Sequence, residues 1–306
     1  MEHQATYSQI ISPQMYNLLI SQHLYIAAAD QAIAQIVGYH SAGDNLELVE
    51  FGCGPGRILP LLADEFVFPN VTGIDHDQVF IDYAQKNLGE FSGWAILADA
   101  TTYQHRNPID IAVSQGFHHH VPKGEQTRLY LENVYRQLKP GGIYVLGDEF
   151  LPHYNNSHER LMRAVTWYAH IIGAALRGEH MLLAIEEAKT LLDDLAEGTD
   201  ENVAKSDVQI QYVLDNVSYL QLDSVQLCYR NEHEMRVEEF LVRVASLKGQ
   251  QTQGDPSMDL SRGDFKICHS VFEKEVTAVG FKVIGVKTIG PIETIGAMVV
   301  YTLLKE

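Results

Sequence analysis

The stretch Leu48-Val49-Glu50-Phe51-Gly52-Cys53-Gly54-Pro55-Gly56-Arg57 constrains the fold of this chain more than any other. A short apolar run ends in an acid, three alternate glycines follow, and Ile58-Leu59-Pro60-Leu61-Leu62 then opens a new apolar segment. The expected reading is a buried strand, a tight turn and a helix start, because glycine admits backbone angles closed to other residues and lets the main chain approach a ligand closely. Taken alone, the pattern also suits a tight turn that binds nothing.

Downstream, apolar strands alternate with helical spacing, the signature of a parallel sheet covered on both faces. Expected strands are Glu47 to Phe51, Asn70 to Ile74, Trp94 to Leu97, Ile109 to Val113 and Ile143 to Gly147. Helices are expected over Arg57 to Glu65, Gln78 to Leu88 and Pro122 to Leu138, the last stopped by the turn chemistry of Lys139-Pro140-Gly141-Gly142. The rhythm then breaks, and residues 151–259 carry only helical patterns, for example Arg160 to Leu176 and Glu179 to Leu195. It returns with a helix over Phe265 to Val279 and strands over Lys282 to Val286 and Ala297 to Leu304. Those two strands are joined too closely for a helical crossover and should be antiparallel.

The resulting expectation is an α/β fold with a Rossmann-like seven-stranded sheet, mostly parallel with an antiparallel last strand. Its parts are an N-terminal helical cap (1–45), a core domain (46–150 and 260–306) and a helical insertion after strand 5 (151–259), long enough to roof a pocket.

Charge excludes some partners. A net charge of −18 over 306 residues, with no clustered basic face, argues against nucleic acid, which needs phosphate neutralisation. No Lys or Arg precedes Arg57, and the most apolar early segment, Leu24 to Tyr39, is short and interrupted by Asp30, so neither a leader nor a membrane span is expected. A cytoplasmic location follows. The three cysteines, Cys53, Cys228 and Cys268, are widely spaced and read as free thiols.

The third glycine of the turn falls one residue earlier than in the dinucleotide fingerprint, where this chain has Arg57, which disfavours NAD and FAD. Asp75 closes the second strand about 20 residues on, where an acid can bond ribose hydroxyls. Asp99 closes the third, on the same carboxyl edge. With these residues, and with His119-His120-Val121-Pro122 and Leu138-Lys139-Pro140-Gly141-Gly142, the chain resembles the class I S-adenosylmethionine (SAM)-dependent methyltransferases over roughly 46–150 and 264–304. The resemblance implies SAM as cofactor, with Gly52, Cys53, Gly54 and Gly56 around its methionine part and Glu50 beneath. Asp75 would hold the ribose, His76, Asp99 and Ala100 the adenine, and Ser114 and Gln115 the sulfonium end.

Methyl transfer is an in-line displacement, so positioning and exclusion of water dominate, and a base is needed only for a protonated acceptor. Candidate bases at the ends of strands 4 and 5 are His119, His120, Glu149 and His153, with His118 and Asp148 beside them. Consecutive histidines point in different directions, so a metal on His119 or His120 with Glu149 and His153 is the weaker reading and none is assigned. The resemblance, with a roofed pocket, implies transfer to O or N of a small molecule. Methylation of a protein or tRNA, and SAM binding without methylation, remain as alternatives. The wide apolar faces of the insertion also suit a homodimer interface.

Overall fold

A computed structural model describes residues 25–41, 46–65, 70–88, 93–156 and 265–306, with the isolated positions 8, 13, 16, 17, 20, 159, 160, 163 and 167. The helices expected within 161–259 lie outside these residues, as does most of the N-terminal cap.

The described elements run α1 (Ile26–His40), β1 (Glu47–Phe51), α2 (Leu59–Glu65), β2 (Asn70–Asp75), α3 (Gln78–Leu88), β3 (Gly93–Leu97), β4 (Ile109–Gln115) and a single 3₁₀ turn (His118–His120). They continue with α4 (Glu125–Gln137), β5 (Leu138–Leu151), β6 (Ile267–Cys268), α5 (His269–Val279), β7 (Phe281–Ile289) and β8 (Ala297–Lys305). The sheet order is β3-β2-β1-β4-β5-β8-β7, with β6 paired to β5. β8 alone runs antiparallel, against both β5 and β7. The expected sheet is therefore observed, with one short strand added.

Alternate residues of each central strand enter opposite cores, which is why these strands read as continuous apolar runs. Leu48, Ile111, Val113, Val145 and Val300 pack with α1, α2 and α3, whereas Val49, Ala112, Tyr144, Val299 and Tyr301 pack with α4 and α5. The chain reverses direction across the sheet between β1 and β4, which are paired in parallel. At such a switch point the loops after adjacent strands diverge and leave a crevice on the carboxyl edge.

Three boundaries differ most from expectation. The helix before Lys139 to Gly142 ends at Gln137 as expected, but these four residues form a bulge inside β5 rather than a turn ahead of it: Leu138 faces Ile109 and Ile143 faces Ile111, while Lys139 Nζ bonds both Asp110 oxygens at 2.7 Å. β5 also runs on through Asp148 and Glu149, pairing them with Val299 and Met298. The expected helix from Phe265 begins only at His269, because Ile267 and Cys268 pair with Phe150 and Leu151. Burial of Phe265 to Cys268 explains their apolar helix-like spelling.

Close packing around the first turn gives a stability prediction. A Cβ at Gly73 would lie 2.6 Å from Leu59 Cδ1 and 2.8 Å from Cys53 Sγ. Gly73→Ala should therefore cost about 1–3 kcal/mol by overpacking, measured by denaturant unfolding.

Candidate active site

The three glycines of the first turn all adopt positive φ, +71° at Gly52, +53° at Gly54 and +73° at Gly56. Two backbone N–H groups, of Gly52 and Cys53, donate to Ile74 O at 2.9 Å, and Gly54 N–H donates to Asp75 Oδ2 at 2.8 Å. The turn is thus tied to the end of the neighbouring strand. Gly52 allows a close approach, made here by the Phe117 ring, which a Cβ would meet at 2.1 Å. Gly54 is more open, with Phe80 and Tyr16 the nearest neighbours at 3.7 and 4.0 Å from the same position.

Glu50, the residue before the end of β1, is almost fully buried, and its Oε2 makes no hydrogen bond among the described residues. Burial pushes its carboxyl well up, while Arg57 pulls it down and Asp30 and Asp75 push it further up. Arg57 itself forms a two-pronged ion pair with Asp30 of α1. Asp30, the acid that interrupts the early apolar segment, thereby anchors α1 to the glycine turn. That interruption was the available signal for the pair.

Asp75 accepts from Gly54 N–H through Oδ2 and from Asp77 N–H through Oδ1. Burial raises its carboxyl, opposed by His76, whose exposed ring lies 3.6 Å away, and by those two N–H groups. Cys53 is buried against Gly73, and burial pushes its thiol up. Asp99 accepts from Thr101 N–H at 2.7 Å and from the Thr101 hydroxyl at 2.6 Å, both through Oδ1. The Ala100 carbonyl accepts from Asn133 Nδ2 at 2.9 Å, as does the Tyr103 carbonyl, so α4 clamps the third loop.

After β4 the two expected residues part. Gln115 lays its amide over Gly147, with both amide atoms buried and unbonded among the described residues. Ser114 turns the other way, fully buried, and its hydroxyl shares a 2.6 Å bond with Tyr144, which in turn meets Tyr130. Strand alternation forces this split, so the Ser114 hydroxyl belongs to the α4 core rather than to the sulfonium end expected of it.

The candidate bases are likewise sorted by geometry. His119 Nδ1 is paired with Asp148 Oδ1, and His119 N–H donates to Asp148 Oδ2 at 3.0 Å. Asp148 is 1% exposed. Burial pushes its carboxyl up, yet His119, His118 and the Glu149 N–H outweigh this and hold it down at about 2. The His120 ring lies against that of His119, centroids 3.9 Å apart. His118 turns to Glu275 of α5 at 3.3 Å and to Lys123 at 3.1 Å, and burial and Lys123 lower its pKa.

Glu149, on the opposite face of β5, pairs with the buried Lys266 Nζ at 2.9 Å and accepts from Trp167 Nε1 at 3.0 Å. His153 is exposed, 3.3 Å from Asn155 Oδ1. The set His119 or His120, Glu149 and His153 is therefore not brought together. Among the described residues no group of three or more His, Cys, Asp or Glu side chains is placed to hold a metal. No described helix is long and apolar enough to cross a membrane.

Residues 49–146 match a family model described as a methyltransferase domain. The chain is 26% identical to a trans-aconitate 2-methyltransferase of Azoarcus sp. over 155 residues, 49% of this chain and 58% of that protein. It is 29% identical to the protein of the same name from Streptomyces coelicolor over 151 residues, 47% and 48% of the two chains. The chain thus spans about half the length of the curated relatives it matches. Among solved structures, SAM-bound CalS10, an amino pentose methyltransferase from Micromonospora echinaspora, aligns at 20% identity over 42% of this chain and 55% of that one, TM-score 0.36. A SAM-dependent methyltransferase from Clostridium acetobutylicum aligns at 15% identity over 45% and 56%, TM-score 0.40. Residues 49–146, which hold the glycine turn and its strand-end acids, are thus similar to methyltransferase domains.

The depressed Asp148 carboxyl predicts an acid-sensitive contribution to stability. Its folded pKa of about 2 lies below the ordinary value of 3.8, so this stabilisation is complete above about pH 4 and is lost as pH falls toward 2. The stability gap between wild type and Asp148→Asn, about 2 kcal/mol at neutral pH, should narrow over that window in urea unfolding series.

Proposed function

We propose that the chain transfers the SAM methyl group to oxygen or nitrogen of a small metabolite, with the segment 151–259 shaping the acceptor pocket. The observation that carries this reading is the pair of buried polar groups without a hydrogen bond among the described residues, Glu50 Oε2 and the Gln115 amide, on strands flanking the switch point. An unsatisfied buried group costs about 1–3 kcal/mol, so both fit a polar ligand lodged between them. Glu50 is suited to the cofactor ammonium, whose charge would favour its ionised form, and Gln115 to the end from which the methyl leaves.

Asp75 and Asp99 would take the ribose and adenine. Each Asp75 oxygen accepts one backbone bond and keeps capacity for a hydroxyl, because an ionised carboxylate offers about four lone-pair sites. The cofactor supplies an electrophilic methyl on sulfur. The protein's part is to orient the acceptor, exclude water and, for a protonated acceptor, remove the proton, with His119, His120, Glu149 and His153 as the groups at that edge. A second reading, transfer to a carboxylate, is favoured by the similarity to trans-aconitate 2-methyltransferases.

The full-length protein should transfer label from methyl-labelled SAM to the small-molecule fraction of a cell extract, followed by mass spectrometry. Label confined to macromolecules would sink the proposal. Asp75→Ala should weaken SAM binding by about 10-fold or more, as expected from losing charge-assisted hydrogen bonds, and calorimetry reads this directly.

A further inference from the structure

We infer that Glu50 keeps its proton in the ligand-free protein and releases it to solvent when the cofactor's ammonium arrives, so that SAM binding expels a proton and weakens as pH falls. This rests on the SAM reading above and adds a regulation of the same site.

The geometry isolates this carboxyl. Glu50 is 2% exposed, and its neighbours in register on the two flanking strands are Gly73 of β2 and Val113 of β4, whose side chains offer no hydrogen bond. Three acids share the region of the glycine turn: Asp30 from α1, Glu50 from β1 and Asp75 from the end of β2. The first and last have donors. Asp30 takes both prongs of Arg57, and Asp75 accepts the N–H groups of Gly54 at 2.8 Å and Asp77 at 2.9 Å. Glu50 Oε2 has no donor among the described residues.

The charges around it do not replace one. Arg57 favours the ionised form of Glu50 but is already engaged by Asp30, while Asp30 and Asp75 oppose that form. His76 acts on Asp75 from its exposed side, and the Cys53 thiol, buried in the turn, is held protonated by burial and by Asp75 and Glu50 themselves. A carboxyl taken out of water without a compensating charge keeps its proton. Burial outweighs Arg57, so this one stays well above the usual carboxylate range.

The cofactor supplies the missing partner. Its sulfonium carries charge but no hydrogen, its ribose and adenine carry donors but no charge near neutral pH, and its α-ammonium carries both. When the ammonium lies beside Glu50, the carboxyl O–H bond breaks, the proton passes to the buffer, and the carboxylate accepts a hydrogen bond from an N–H that stays on nitrogen. The carboxyl thus titrates at a lower pH in the complex than in the ligand-free protein. Between those two values, each unit of pH lost lowers SAM affinity by up to about 10-fold. Below both, Glu50 is protonated with and without ligand, and above both it is ionised in each, so the dependence vanishes.

The test is calorimetric titration of the full-length protein with SAM, S-adenosylhomocysteine and methylthioadenosine between about pH 5 and 6.5, where an α-amino group is protonated. Each titration is run in two buffers of different ionisation enthalpy, and the difference in heat counts the protons released. Methylthioadenosine has the ribose and adenine but no ammonium, so it reports the contribution of Asp75. SAM and S-adenosylhomocysteine should each release up to about one proton more. In Glu50→Gln, which mimics the neutral acid, this excess should vanish and SAM affinity should lose the matching pH dependence. Where methylthioadenosine binds too weakly to read, Glu50→Gln supplies the baseline; if that variant does not fold, the comparison of ligands on the wild type carries the test. SAM binding with no excess anywhere in the range, or an excess that persists in Glu50→Gln, overturns the inference and leaves the SAM reading intact. No binding of SAM to the wild type overturns that reading and the inference with it.

Discussion

The hydrogen bond from Gly54 N–H to the Asp75 carboxylate couples the two elements on which the rest of the site depends. It joins a turn that only glycine can make at these angles to the acid at the end of the next strand. Because β1 and β2 are paired in strict parallel register from Glu47 opposite Asn70 to Phe51 opposite Ile74, the coupling follows from the sheet itself. The crevice beside it is then set by topology, where β4 departs on the other side of β1. Asp30 and Arg57 extend the same frame to α1, so the N-terminal helix is fastened to the turn by charge as well as by its apolar face.

At the far side of the crevice, two adjacent acids on β5 do opposite work. Asp148 faces the α5 side and orients His119, while Glu149 faces the other and neutralises a buried lysine. Burying a carboxylate is costly without such a partner, and each of these two acids has its own.

Much of the fold was legible in the sequence because both cores are fed by alternate residues of the same strands, so each strand appears as a short apolar run. The antiparallel β7–β8 pair was legible from the shortness of its connection. The extended Ile267–Cys268 was not, because buried residues just before a helix spell the same apolar letters in either conformation. The positions of Gly52, Gly54, Gly56, Asp75 and Asp99 were readable because they sit at strand ends that sequence spacing predicts. Partners across the fold were not: nothing local joins Asp30 to Arg57, His118 to Glu275, or Glu149 to Lys266. Ser114 and Gln115 were taken together as neighbours, whereas the pleat sends them to opposite faces.

The Glu149–Lys266 corner has an optical consequence. The chain has two tryptophans. Trp94 stands 67% exposed on the edge strand β3, while Trp167 is fully buried, stacked on Tyr25 and bonded to Glu149. Their indoles sit in environments of opposite polarity. A polar quencher reaches the first and not the second, so the residual emission reports on the assembly of that corner, with no label added.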